Sequence, residues 1–297
     1  MSLRLAVVVL LLISTGMAEN RAAKPVDCSQ LLTWMVAGIP NQRLSRLVAE
    51  RGIRFHVGQS SAEFFASAGA GSDLLSEMRK PGAFASGTQS SECPTELVQA
   101  AELVHQQHYD SAEAIMRRAL AADPDNVDVH MALGYLRMQQ DDVDEAFDDY
   151  SDAKDLDATF PEIHNGLSYV FYRSNDGENS IAEARTALSI DPQNAEAYRY
   201  LGLGLYADGN FAAALHAFQE SLTHDSKRAE TYYDLGLAQS ADKKLTAAAQ
   251  SYRSAIRLNP ELLEARTKLE LVLRELAPKR AAMGEEAKST PDPKAVQ

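Results

Sequence analysis

From Cys93 onward the same residue types return every thirty-four positions, five times over, and this period constrains the fold of the 297-residue chain more than any other feature. Small residues recur as Ala100, Gly134, Ser168, Gly202 and Gly236, preceded by Gln99, Leu133, Leu167, Leu201 and Leu235. A second small column reads Ala112, Ala146, Ser180, Ala214 and Ala248, and a third reads Ala119, Ala153, Ala187, Ser221 and Ala255. Between those two, a larger slot holds Met116, Tyr150, Phe218 and Tyr252, but only Ala184 in the middle copy. Antiparallel helices approach closely only where side chains are small, so these columns mark contact seams between paired helices. Asp123-Pro124, Asp191-Pro192 and Asn259-Pro260 end helices, because the residue before a proline is pushed out of the helical region. One helical hairpin cannot bury its apolar face alone; stacking does so, and five units exceed the roughly three that stability needs.

The pattern resembles the tetratricopeptide repeat family, whose unit is a helix, a turn and a second helix. That resemblance implies an all-α, right-handed solenoid with repeats at 93–126, 127–160, 161–194, 195–228 and 229–262. A capping helix is expected over 263–276, where Arg266, Lys268, Glu270 and Arg274 interrupt the apolar pattern, and a disordered tail over 277–297. In this family the first helix of each unit lines a concave groove. The inward offsets, carried onto this chain, give Met131, Tyr135 and Met138, then Asn165, Tyr169, Tyr172 and Arg173, then Arg199, Leu203, Tyr206, Tyr233 and Leu237. Tyrosines, aliphatics and two arginines suit an extended or helical peptide. The lysine and asparagine clamp by which some relatives grip C-terminal carboxylates is matched in type only by Asn165, so recognition of that kind is not expected.

The front of the chain points to export. Arg4 precedes an apolar stretch from Leu5 to Ile13 and a small-residue site ending at Ala18, the grammar of a cleaved signal peptide over 1–18. The run falls short of the roughly 20 apolar residues that span a bilayer, although an uncleaved anchor is the alternative reading. The expected location is therefore secreted or periplasmic. Cys28 and Cys93 are the two cysteines, both downstream of that site, and a disulfide between them is expected in an oxidising compartment. No C-x-x-C pair suggests zinc or redox chemistry.

The whole chain carries 42 acids against 29 bases, and loss of Arg4 with the signal leaves about −14. Nucleic acid is excluded as an expected partner, since phosphate binding needs a basic footprint. Asp141, Glu145, Asp148, Asp152 and Asp155 recur by four and three, which places a solvated acidic stripe on one helix; it lacks the looped, glycine-turned spacing of a calcium site.

Residues 28–80 follow a different grammar. Leu31, Leu32, Met35 and Val36 make one apolar face ended by Gly38; Leu44, Leu47 and Val48 make a second, with Asn41 as the expected cap and Gly52 as the stop. Ser60 with Glu63 reads as a capping box ahead of Phe64 and Phe65, and Ser72 opens a last turn carrying Leu74, Leu75 and Met78. This is a small helical module with Trp34 in its core, joined to the repeats by a linker over 81–92. No hydrolase elbow, zinc-protease helix, phosphate loop or dinucleotide fingerprint occurs. His105 and His108 have no third ligand, while His130 and His164 share a repeat offset with Tyr198 and Tyr232 and read as packing residues. The expectation is a non-enzymatic scaffold without cofactors that binds a protein segment; the alternative is that the module is the ligand-binding or regulatory part.

Overall fold

A computed structural model describes residues 24–85 and 93–289. The expected signal peptide, the linker beyond residue 85 and the last eight residues lie outside them. The described chain is helical apart from isolated bridges, and it divides into two compact units, Met1–Gly166 and Leu167–Gln297.

In the first unit, α1 (Cys28–Val36), α2 (Asn41–Arg51), α3 (Gln59–Ser67) and α4 (Ser72–Met78) form the module. Asp27 caps α1, its carboxylate accepting the Gln30 N–H at 2.8 Å. Gly38 and Gly52 take φ of 69°, the left-handed conformation that lets the chain leave α1 and α2 without a Cβ clash. Asn41 does not cap α2. It is the first helical residue, and its side chain ties α2 to the α3–α4 turn by donating to Gly69 O and accepting from Gly71 N. The segment 81–85, expected to be linker, closes the module instead. Phe84 and Val26 bridge either side of Ile53, and the Phe84 ring stacks on His56 at 4.2 Å.

Cys28 and Cys93 are bonded, with Cα atoms 5.1 Å apart, fastening the start of α1 just ahead of the first repeat. A cross-link over 65 residues acts mainly by restricting the unfolded chain. The pair Cys28→Ser with Cys93→Ser is expected to lose about 2–4 kcal/mol, read as a lower urea midpoint.

The repeats follow as helix pairs, A then B: α5 (Thr95–His105) with α6 (Tyr109–Ala122), α7 (Val127–Gln139) with α8 (Val143–Leu156), α9 (Pro161–Arg173) with α10 (Gly177–Ile190), α11 (Ala195–Ala207) with α12 (Phe211–His224), and α13 (Ala229–Ala241) with α14 (Leu245–Leu258). The last helix, α15, runs Leu263–Ser289, past residue 276 where the cap was expected to end; the intervening Ala, Lys, Arg and Glu residues are good helix formers. Each B helix stops at an Asp or Asn that has left the helical conformation: Asp123, Asp157, Asp191, Asp225 or Asn259. Asp157 and Asp225 stop theirs without a following proline, because the carboxylate accepts the N–H two residues on, from Thr159 at 2.9 Å and Lys227 at 3.0 Å.

The small columns seat rings. An added Cβ at Gly134 would lie 2.8 Å from the Tyr150 ring; at Gly202 it would lie 2.6 Å from Phe218, and at Gly236 2.6 Å from Tyr252. In the middle copy, where Ala184 replaces the ring, Ser168 Oγ donates to Ser180 O at 2.8 Å, so a buried polar contact takes the place of an aromatic one.

Candidate binding face

The A helices present positions i, i+3 and i+7 along one side. On α7 this stripe is Asp128, Met131 and Tyr135, followed by Met138, and the module lies on it. The Trp34 indole N–H donates to Asp128 Oδ1 at 2.9 Å, Gln30 donates to Asp128 Oδ2 at 3.3 Å, and Trp34 stacks on Phe160 at 5.5 Å. Gly38 sits against the Tyr135 ring so closely that a Cβ there would be 2.3 Å away. On α9, Glu162 pairs with Arg43 of the module, Nε to Oε1 2.6 Å. Met131, Met138 and Asn165 are buried, so the part of the expected groove carried by the first unit is covered from within the chain.

The expected residues of the second unit divide. Leu203 is 2% exposed and belongs to the core around Phe218. Arg199, expected to face a partner's acid, is half-buried and pairs with Asp234, Nε to Oδ2 2.6 Å, while lying 5.4 Å from the Tyr200 ring. Beside it Arg228 pairs with Glu196 at 2.7 Å. Burial pushes the Asp234 carboxyl above the usual range despite Arg199; burial also works against the Arg199 charge, but Asp234 holds it well above its ordinary value.

Around this pair the structure gathers half-buried tyrosines. Tyr169 and Tyr172 stack at 6.2 Å, and the exposed Arg173 guanidinium lies 5.9 Å from the Tyr169 ring. Burial, then the charge of Asp234, pushes the Tyr172 hydroxyl up to about 12. Burial, with Tyr252, Asp234 and Glu264 nearby, does the same to Tyr233, also to about 12. Tyr206 packs on Phe211 at 5.6 Å, and Leu237 lies half-buried against the core of α14 and α15.

The stripe carries a further column, distinct from the small and aromatic ones. Asp128, Glu162, Glu196, Glu230 and Glu264 stand thirty-four apart at the second position of successive A helices. An acid in the first helical turn is favoured by the helix dipole. Leu271 continues the i+7 position onto α15 and is 52% exposed, where that helix was expected to be a solvating cap.

The remaining candidates are structural or solvated. The ring nitrogens of His130 and His164 hydrogen-bond the carbonyls of Pro124 and Ala158, each at 2.9 Å, pinning A helices to the preceding turns. His105 and His108 are exposed, and no cluster of metal-binding side chains occurs among the described residues. Among those residues no helix is long and apolar enough to cross a membrane. Glu145, Asp148, Asp152 and Asp155 are exposed on α8, while Asp141 sits in the turn before it with φ of 71°.

Behind that acidic stripe, Asp149 is buried between Arg137, at 2.8 Å, and His130, at 3.8 Å. Burial pushes its carboxyl from 3.8 up to about 6, against the pull of Arg137 and His130. The folded state thus binds this proton more tightly than the unfolded chain. Its stabilising effect is full below about pH 4 and is lost as pH rises to about 6. Urea titrations of wild type and Asp149→Asn across that window should diverge by about 2–3 kcal/mol, the variant showing the flatter profile.

The model of the tetratricopeptide repeat matches residues 97–161, 165–223 and 200–262. Among solved structures, TTC0263, a thermophilic TPR protein of Thermus thermophilus, aligns at 17% identity over 60% of this chain and 97% of that one, with a TM-score of 0.56. PilW, a widely conserved type IV pilus biogenesis factor, aligns at 21% identity over 65% of this chain and 90% of that one, with a TM-score of 0.55. Both likenesses are of fold. No curated protein gives a significant match.

Proposed function

The chain belongs to the tetratricopeptide repeat family, and from that premise we infer that it is an exported scaffold whose A-helix face in the second unit binds a segment of another protein. The observation that carries this reading is the contrast between the two units. The same stripe that is occupied by the module in the first unit is left with half-buried tyrosines and the exposed Leu271 in the second. Half-buried aromatic rings with exposed edges supply contact area at low entropy cost, which suits recognition of a peptide or helix. Export rests on the apolar stretch and small-residue site of residues 1–18, with an uncleaved anchor as the alternative. In that compartment the scaffold serves envelope assembly, secretion or signalling. Pilus biogenesis, in which PilW is a factor, is one process of this kind.

Crosslinking the mature protein in its native compartment tests the reading. A partner is expected whose yield falls at least tenfold in Leu271→Asp, at a 52%-exposed site, and in Tyr169→Ala, with the urea midpoint of each variant measured alongside to separate lost binding from lost packing. An unchanged set of crosslinks in both variants would sink it.

A second reading has one observation in its favour. A cavity of about 240 Å³ lies where the module meets the first repeats, lined by Met35, Ile39, Leu44, Val104, His105 and Tyr135. The lining also includes Asn41, Gln107 and Tyr109, so a small ligand with polar groups held there would make the module the sensing part. Native mass spectrometry of protein taken directly from its host should then show a bound mass, and a bare chain would remove this alternative.

A further inference from the structure

Building on the reading above, we propose that the face of α13 and α15 formed by Glu230, Tyr233, Leu237, Glu264 and Leu271 docks a basic amphipathic helix of a partner protein. The chemistry comes from the occupant already seated in the first unit. There the stripe Asp128, Met131 and Tyr135 is met by α1, whose Trp34 offers an N–H donor to the acid, and by Gly38 in the turn after α1, which packs closely on the ring. The next acid in the column, Glu162, takes the cation of Arg43. The module thus meets the acid at the second position of two successive A helices with a donor or a cation, and on α7 adds close packing farther along.

In the second unit the column continues. Glu196 is satisfied internally by Arg228. Glu230 and Glu264 are exposed and make no ion pair among the described residues. Each begins an i, i+3, i+7 stripe that ends in an aliphatic residue, Leu237 or the 52%-exposed Leu271. Tyr233 and Leu237 of α13 pack against the same core cluster as Leu269 and Leu273 of α15, which makes the two stripes neighbours. Glu230 and Glu264 repel an acidic partner and Arg199 is held by Asp234, which leaves Lys268, one turn beyond Glu264, as the exposed cation on this face against two carboxylates. A helix with an apolar stripe and a lysine or arginine at each acid complements both halves of the surface.

The test uses the full mature chain and two fluorescein-labelled helical peptides sharing one leucine stripe, one with lysines on its flanks and one with glutamates. The lysine peptide is expected to bind at least tenfold tighter at about 0.1 M salt and to weaken as salt rises. Glu230→Lys with Glu264→Lys, both at exposed positions, should reverse the preference. Equal binding of the two peptides, or an unaltered preference in the double variant, overturns the charge assignment. If Leu271→Asp still abolishes both peptides in that case, the binding face itself stands. Failure of both peptides to bind overturns this inference, and partner crosslinks that are also indifferent to Leu271→Asp would overturn the functional reading with it. A concentration-dependent dimer that the double variant dissolves would assign the face to a second copy and overturn the partner helix.

Discussion

Phe218→Ala is expected to lower the stability of the second unit by about 3–5 kcal/mol, the upper range for truncating a buried ring. Phe218 is fully buried, and the helix it faces presents Gly202, with no side chain to move into the space left behind. The cost of a cavity depends on how far its walls collapse, and here one wall is backbone. Urea unfolding followed by circular dichroism reads the effect as a shifted midpoint. A second substitution separates packing from propensity. Alanine at a helical glycine gains about 1 kcal/mol of helix propensity. At Gly202 its methyl would meet Phe218 at 2.6 Å, so Gly202→Ala should destabilise the wild type yet stabilise the Phe218→Ala background. The same sign in both backgrounds would show that the small column is not set by the ring opposite.

Asp234→Leu is expected to cost about 3–5 kcal/mol, because it strands the Arg199 guanidinium in a site built around a carboxylate 2.6 Å away. The pair itself stabilises far less than this number suggests. Burial disfavours both charges, and Asp234 sits above its usual pKa even with the arginine beside it. Replacing both partners, Arg199→Met with Asp234→Leu, should therefore recover most of the loss and come within about 1 kcal/mol of the wild type. Thermal and urea unfolding of the four proteins in this cycle decide the matter. A double variant as unstable as Asp234→Leu alone would mean that the ion pair contributes net stability.

The repeat was legible because its causes are local and recur. Small residues facing rings, and Asp or Asn after each B helix, are visible at fixed intervals, and the helix starts at Val127, Pro161, Ala195, Ala229 and Leu263 keep that interval. Even the two units without proline end in the same way, since an Asx turn needs only the carboxylate. The binding face was less legible, because what covers it is nonlocal. Trp34 meets Asp128 across 94 residues and Arg43 meets Glu162 across 119, separations unrelated to the repeat. Arg199 reads as an available cation in the sequence because its partner, Asp234, lies one repeat and one residue away, on the next A helix. The acidic column carried a signal that the period alone would have exposed: five carboxylates in register at Asp128, Glu162, Glu196, Glu230 and Glu264.

The bond between Cys28 and Cys93 closes a covalent ring of chain around the module. A nick anywhere inside that ring leaves both pieces attached, so the module stays at its post after cleavage. An outside competitor for α7 then faces a tethered incumbent at an effective concentration on the order of millimolar, and loses unless it binds far more tightly than a typical peptide. Under the reading proposed above, a partner segment therefore meets the A-helix face of the second unit, where it displaces no tethered rival.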